Sequence, residues 1–138
     1  VGISSDGIIA YGIDLGDESN LFPWAKHKYD GEFESWVLLE ILGFDEDWQT
    51  YEGYYDMRKK LLDAYPIDLI LHCSYEYPMY FLAVRGTKRR ASRGYPTFIE
   101  SFPEITSMQR VTLKKFADEH GLKCDDDKVG WHLFSVYG

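Results

Sequence analysis

Two rhythms of apolar residues run along this chain, one with the period of a strand and one with the period of a helix. Leu69–Ser74 and Met79–Val84 are rich in branched and aromatic residues, and Tyr75, Glu76, Tyr77 and Pro78 separate them by the length of a hairpin loop. Alternation along the first run puts Leu69, Leu71 and Cys73 on one face and Ile70, His72 and Ser74 on the other. Both faces carry apolar groups, so the pattern predicts a hairpin central in its sheet. Near the start, Ser4, Ser5, Asp6 and Gly7 read as a turn, followed by a strand over Ile8–Ile13 that Gly16 and Asp17 end. Gly12 inside that strand predicts a bulge or a close approach of backbone.

The helical rhythm appears three times. Phe33–Leu42 is mostly apolar and stops at Gly43 and Phe44, a helix-end pattern in which glycine takes the left-handed position and the next apolar residue folds back. Tyr51, Tyr54, Tyr55, Arg58, Leu61, Leu62 and Tyr65 recur at spacings of three and four, and Pro66 closes that segment. Thr106 with Gln109 has the form of a capping box and opens a third helix, whose buried side is read as Met108, Val111, Phe116, Ala117 and His120 before Gly121 and Leu122 end it. Between hairpin and third helix, Phe98, Ile99 and Phe102 form an extended segment that Pro103 interrupts. Gly130–Tyr137 is a last strand, with Trp131, Leu133 and Ser135 opposite His132, Phe134 and Val136. The expected fold is a single α+β domain over residues 1–138, with a mainly antiparallel sheet of about four strands and about three helices packed on it.

Composition adds three features. Aromatic residues make up 17% of the chain, with eleven tyrosines and four tryptophans, which predicts a core or contact surface built from rings. Cys73 and Cys124 lie far apart in unlike contexts, no charged-then-apolar leader opens the sequence, and no apolar run approaches the ~20 residues that cross a bilayer. A reducing, cytoplasmic setting without a membrane span is expected. The formal charge is −8, yet Arg85, Lys88, Arg89, Arg90 and Arg93 place five positive charges within nine residues, leaving ten basic against twenty-three acidic residues elsewhere.

Those charges point to two kinds of partner. The basic block with Tyr75, Tyr77 and Tyr95 offers guanidinium groups for phosphate and rings for stacking on a base, as a nucleotide or a nucleic acid strand requires. The same block also fits a plainer role, balancing an acidic body or guarding a sheet edge. The acidic remainder, with Asp45, Glu46, Asp47, Asp125, Asp126 and Asp127 as its densest runs, suits a protein that presents carboxylates to a basic, nucleic-acid-binding partner.

Other chemistry lacks its usual pattern. His72 and Cys73 are adjacent on a strand and point to opposite faces, there is no cysteine pair at zinc spacing and no HExxH, and the run from Asp125 lacks oxygen ligands at two calcium-loop positions, Val129 and Val136. No metal or cofactor is expected. Ser74 lies two residues from His72 but outside a Gly-x-Ser-x-Gly elbow, and no P-loop or dinucleotide fingerprint occurs. No catalytic residue is assigned and an enzyme is the less expected class, with hydrolase activity at His72 and Ser74 as a third alternative.

Ser5-Asp6-Gly7 with Tyr11-Gly12, the strand from Tyr80 to Val84, Arg93-Gly94-Tyr95-Pro96-Thr97, a Lys-Phe helix ending in Gly121, and a terminal Gly130-Trp131 strand together resemble small uncharacterised proteins of tailed bacteriophages. The resemblance spans nearly the whole chain. It implies an accessory protein made in an infected bacterium, acting by binding and disabling a host protein such as a nucleic-acid-handling defence complex.

Overall fold

The computed structural model describes residues 4–25, 31–44, 52–123 and 126–137. Five strands are present among them: β1 (Ser5–Gly16), β2 (Ile67–Ser74), β3 (Pro78–Val84), β4 (Arg89–Ala91) and β5 (Gly130–Tyr137). The α-helices are α1 (Phe33–Trp36), which continues as a π-helix over Val37–Ile41, α2 (Tyr54–Ala64) and α3 (Ser107–Glu119). The fold is α+β with a mostly antiparallel sheet. Its fifth strand is β4, which forms inside the block read from sequence as a basic loop.

β1 organises the sheet because it belongs to two groups of strands. Its first part pairs with β5 from Ser5↔Tyr137 to Gly12↔Gly130 and with β4 over Gly7–Ile9. Its second part pairs with β3 from Gly12↔Ala83 to Gly16↔Tyr80, with a register shift between Asp14 and Gly16. β3 in turn pairs with β2, and β2 returns to β5 through a short parallel contact at Cys73↔Val136 and Ser74↔Tyr137. Where the two pairings of β1 meet, Gly12 lets the backbone of β3 come close: a Cβ there would lie 1.9 Å from Leu82 O. The Ser5-Asp6-Gly7 stretch is strand rather than turn, because β5 and β4 give its backbone partners that sequence spacing does not reveal.

Alternation along these strands separates two apolar layers. Ile8 and Ala10 of β1, Ile70 of β2, and Phe81 and Ala83 of β3 form an inner cluster against Phe134 and Val136 of β5. Tyr11, Ile13, Ile67, Leu82 and Val84 point the other way and meet the helices through Trp24, Trp36, Val37, Leu38, Leu62, Leu113 and Phe116. Rings dominate this outer layer. Trp24 lies 4.8 Å from Phe22, 4.9 Å from Phe33 and 5.4 Å from Trp36, centroid to centroid, and each such contact contributes about 1 kcal/mol beyond burial.

Local signals set most helix ends. Thr106 Oγ1 accepts from the Gln109 N–H at 3.1 Å while Gln109 Oε1 accepts from the Thr106 N–H at 2.9 Å, a complete capping box. Gly43 and Gly121 both have positive φ, and the N–H groups of Phe44 and Leu122 reach back to Leu38 O at 2.7 Å and Ala117 O at 2.9 Å. The buried side of α3 differs from the expected one. Leu113, Phe116 and Ala117 face the core, while Met108 and Val111 are 72% and 58% exposed. No strand forms at Phe98–Phe102, consistent with Pro103 denying it a ladder partner. The β2–β3 hairpin is present, but only β3 is central: β2 has a neighbour along its second edge only at its last two residues.

Candidate functional site

The basic block is spent largely on holding the chain together. Arg85 Nε donates to Tyr65 O at 2.7 Å and its Nη2 to Ile67 O at 3.1 Å, with Asp68 3.7 Å away. Arg89 Nη1 donates to Gly86 O and Lys88 O, both at 3.0 Å. Arg90 Nε donates to Asp6 Oδ2 at 2.9 Å, its Nη2 donates to the same oxygen, and Asp6 Oδ1 accepts from the Arg93 N–H at 3.2 Å. The Arg90 hydrogen bond holds the Asp6 carboxyl below its ordinary value, the effect of burial being opposed and smaller. β4 is a short outer strand carrying charge, the arrangement that discourages stray edge pairing.

Tyr75 and Tyr77 do not join this block. They sit in the β2–β3 turn, 85% and 76% exposed, with the Tyr77 N–H donating to Ser74 Oγ at 3.0 Å. Tyr77 and Arg85 bracket β3, and a strand of that length separates them by roughly 25 Å. Tyr95 lies closer in sequence to the arginines, in a turn where its N–H donates to Ser92 O at 2.9 Å. Lys88 is exposed. The depression beside Arg89 and Arg90, lined also by Ile9, Thr97, Ile99 and Leu133, holds about 160 Å³, below the ~300 Å³ at which ligand pockets begin.

Of the acidic runs, Asp45, Glu46, Asp47 and Asp125 lie outside the described residues, as does the side chain of Asp126. Asp127 is exposed in a 3₁₀ turn over Asp126–Lys128. A different acidic and aromatic surface is assembled at the β2–β3 turn. The Gly16↔Tyr80 pairing carries the end of β1 to this hairpin, and Asp17, Ser19, Cys73, Glu76, Tyr77, Pro78 and Met79 line a shallow depression of about 310 Å³. Glu18 stands beside it with Lys123 3.8 Å from its carboxylate. Tyr75-Glu76-Tyr77 in a hairpin turn was the visible half of this surface in the sequence. The other half, Asp17, depends on which strand β1 pairs with.

His72 and Ser74 have separate roles. Between them Cys73 adopts φ 68°, which interrupts the alternation that would align their side chains, and the Ser74 hydroxyl serves the turn. His72 packs at a tilt 4.7 Å from Phe134, and its Nε2 is buried with no hydrogen-bond partner. Burial lowers its pKa, with Asp14 opposing. His120, packed 4.6 Å from Phe116 and 4.9 Å from Trp36, is lowered by burial as well, with Glu119 opposing. Among the described residues no three His, Cys, Asp or Glu side chains are grouped to hold a metal, and no helix is long and apolar enough to cross a membrane.

These pKa shifts share one sign. Both imidazoles bind a proton less readily in the folded chain than near the ordinary value of 6.5, so the unfolded chain takes up more protons as pH falls. The stability they contribute is intact above about pH 6.5 and is lost as pH drops through their folded pKa values. Asp6 behaves likewise at lower pH, its contribution present above its ordinary 3.8 and lost below its folded value. Urea unfolding across this range is expected to show falling stability from about pH 7 to pH 5, and His72→Leu is expected to flatten that decline. An unchanged slope in the variant removes His72 as its source.

The chain matches no protein family, no curated protein and no solved structure.

Proposed function

We propose that this is an accessory protein of tailed bacteriophages that binds and inhibits a host protein, a nucleic-acid-handling defence component, using the acidic and aromatic β2–β3 turn as its contact. The observation that carries this reading is the exposure of Tyr75 and Tyr77 around Glu76 and Asp17. Tyrosine supplies large contact area with little entropy lost on ordering, and rings of this kind anchor protein interfaces. Carboxylates beside them complement a partner whose surface is basic because it handles nucleic acid, and they steer its approach. The resemblance of the sequence to phage proteins supplies the biological setting.

The reading is tested with the protein expressed in its bacterial host under phage challenge. Wild type is expected to raise plating efficiency and to co-purify with a host protein in a complex whose association slows with salt. Glu76→Lys with Asp17→Lys, and separately Tyr75→Ala with Tyr77→Ala, are expected to weaken that complex at least tenfold, about 1.4 kcal/mol, without lowering the melting temperature. Full retention of binding in both variants would discard the turn as the contact.

A further inference from the structure

Met108 and Val111, the apolar residues of α3 that do not reach the core, both line one cleft. They share it with Ile41 of the π-helix and with Tyr65, Pro66 and Ile67 at the entry to β2. Its volume of about 600 Å³ falls within the range of small-molecule sites, about 300–1,000 Å³.

The walls are fixed before any ligand arrives. Arg85 holds the chain at the entry to β2, its Nε donating to Tyr65 O at 2.7 Å, its N–H to Pro66 O at 2.9 Å and its Nη2 to Ile67 O at 3.1 Å. The Phe116 ring lies 6.4 Å from Tyr65 and 4.6 Å from His120, and His120 lies 4.9 Å from Trp36. Val37–Ile41 is wound as a π-helix, with the Leu42 N–H donating to Val37 O at 3.0 Å. That rare winding recurs at functional sites.

The polar groups gather around Phe116. Among the described residues, neither the Tyr65 hydroxyl nor the His120 ring nitrogens have a hydrogen-bond partner. Burial pushes the Tyr65 hydroxyl up to about 12 and lowers the His120 pKa, so both groups are neutral at pH 7. Glu119 is the second influence on each, which brings its carboxylate close to both. Glu40 and Glu119 put two negative charges on the rim against one positive, Lys115, whose Nζ is 3.8 Å from Glu119. The lining is rich in acceptors and in ring faces.

We propose that this cleft binds a small organic amine, a protonated amino group carried on an aromatic body. An ammonium has three donors and no acceptor, which suits a carboxylate, a phenol oxygen and a neutral imidazole nitrogen. The faces of Phe116 and Tyr65 attract the same charge. The aromatic body then lies against Ile41, Met108 and Val111, while an acid of the same shape is repelled by Glu40 and Glu119. A chain of net charge −8 favours the approach of a cation as well.

The probes are phenethylamine, phenethyl alcohol and hydrocinnamate, one skeleton with a cationic, a neutral and an anionic end, titrated into the isotope-labelled protein and followed by NMR. Phenethylamine is expected to move the Ile41, Met108 and Val111 methyl signals and the His120 ring signals to saturation. The alcohol is expected to bind about tenfold more weakly, and the acid more weakly still. Glu119→Gln is expected to weaken the amine about fivefold and to leave the alcohol unchanged. Val111→Trp, at an exposed position, is expected to abolish binding with an unchanged melting temperature. Glu76→Lys at the hairpin turn is expected to leave all three affinities alone. The inference is overturned by an amine that fails to saturate, by shifts confined to residues outside the cleft, by an acid that binds as tightly as the amine, or by a folded Val111→Trp that binds like the parent.

Discussion

Gly12→Ala is expected to abolish the native fold or to leave it barely populated. A Cβ at this position would lie 1.9 Å from Leu82 O and 2.8 Å from Ala83 Cα, both backbone atoms of β3. Neither contact can be relieved by turning a side chain. On its other side Gly12 is held opposite Gly130 of β5, so β1 cannot retreat without parting from one neighbour or the other. Crowding inside a packed core costs about 1–3 kcal/mol when side chains can adjust, and here the yielding element would be a strand. A loss of about 4 kcal/mol or more is expected, a large share of the 5–15 kcal/mol of a typical domain. Urea unfolding followed by far-ultraviolet circular dichroism measures it. A variant within about 1 kcal/mol of the parent would show that β1 and β3 do not approach this closely.

Thr87→Val is expected to cost about 2 kcal/mol, although the two side chains have nearly the same shape. The Thr87 hydroxyl is buried, accepts from the Tyr11 N–H at 3.1 Å and donates to Val84 O at 2.7 Å. It sits where β3 stops and β4 has yet to begin, so that β1 faces a gap in its ladder at Tyr11. Valine would leave the Tyr11 N–H buried without a partner and Val84 O with only the longer bond from the N–H of residue 87, at 3.3 Å. The melting temperature is expected to fall by roughly 5–8 °C, while Thr87→Ser, which keeps the hydroxyl, is expected to lose much less. Equal losses in valine and serine variants would shift the cause to packing of the methyl group.

What could be read from sequence was what is encoded within a few residues. The hairpin, the capping box at Thr106 and Gln109, the helix ends at Gly43 and Gly121, and the alternation of β5 are all present. Each depends on neighbours in the chain. β4 was hidden because Arg89-Arg90-Ala91 has no strand pattern of its own and is extended by pairing with Gly7–Ile9. The face of α3 was misread because Met108 and Val111 share the apolar character of Leu113 and Phe116, and only the position of the sheet decides between them. The same limit applied to the acidic surface: Tyr75, Glu76 and Tyr77 stand out in a turn, whereas Asp17 reaches them through a strand pairing more than sixty residues away in the chain.

The partnership of β1 with β5 also has a consequence during synthesis. A ribosome adds about 5–20 residues per second, so β1 emerges on the order of ten seconds before the strand that pairs with it from Ser5 to Gly12. Through that interval Ile8 and Ala10 have no Phe134 or Val136 to pack against. The helices and the β2–β3 hairpin can form as they leave the tunnel, but the inner layer closes last. Until then the pairing from Ser5 to Gly12 is missing, and β3 and β4 are the only strands that can hold β1.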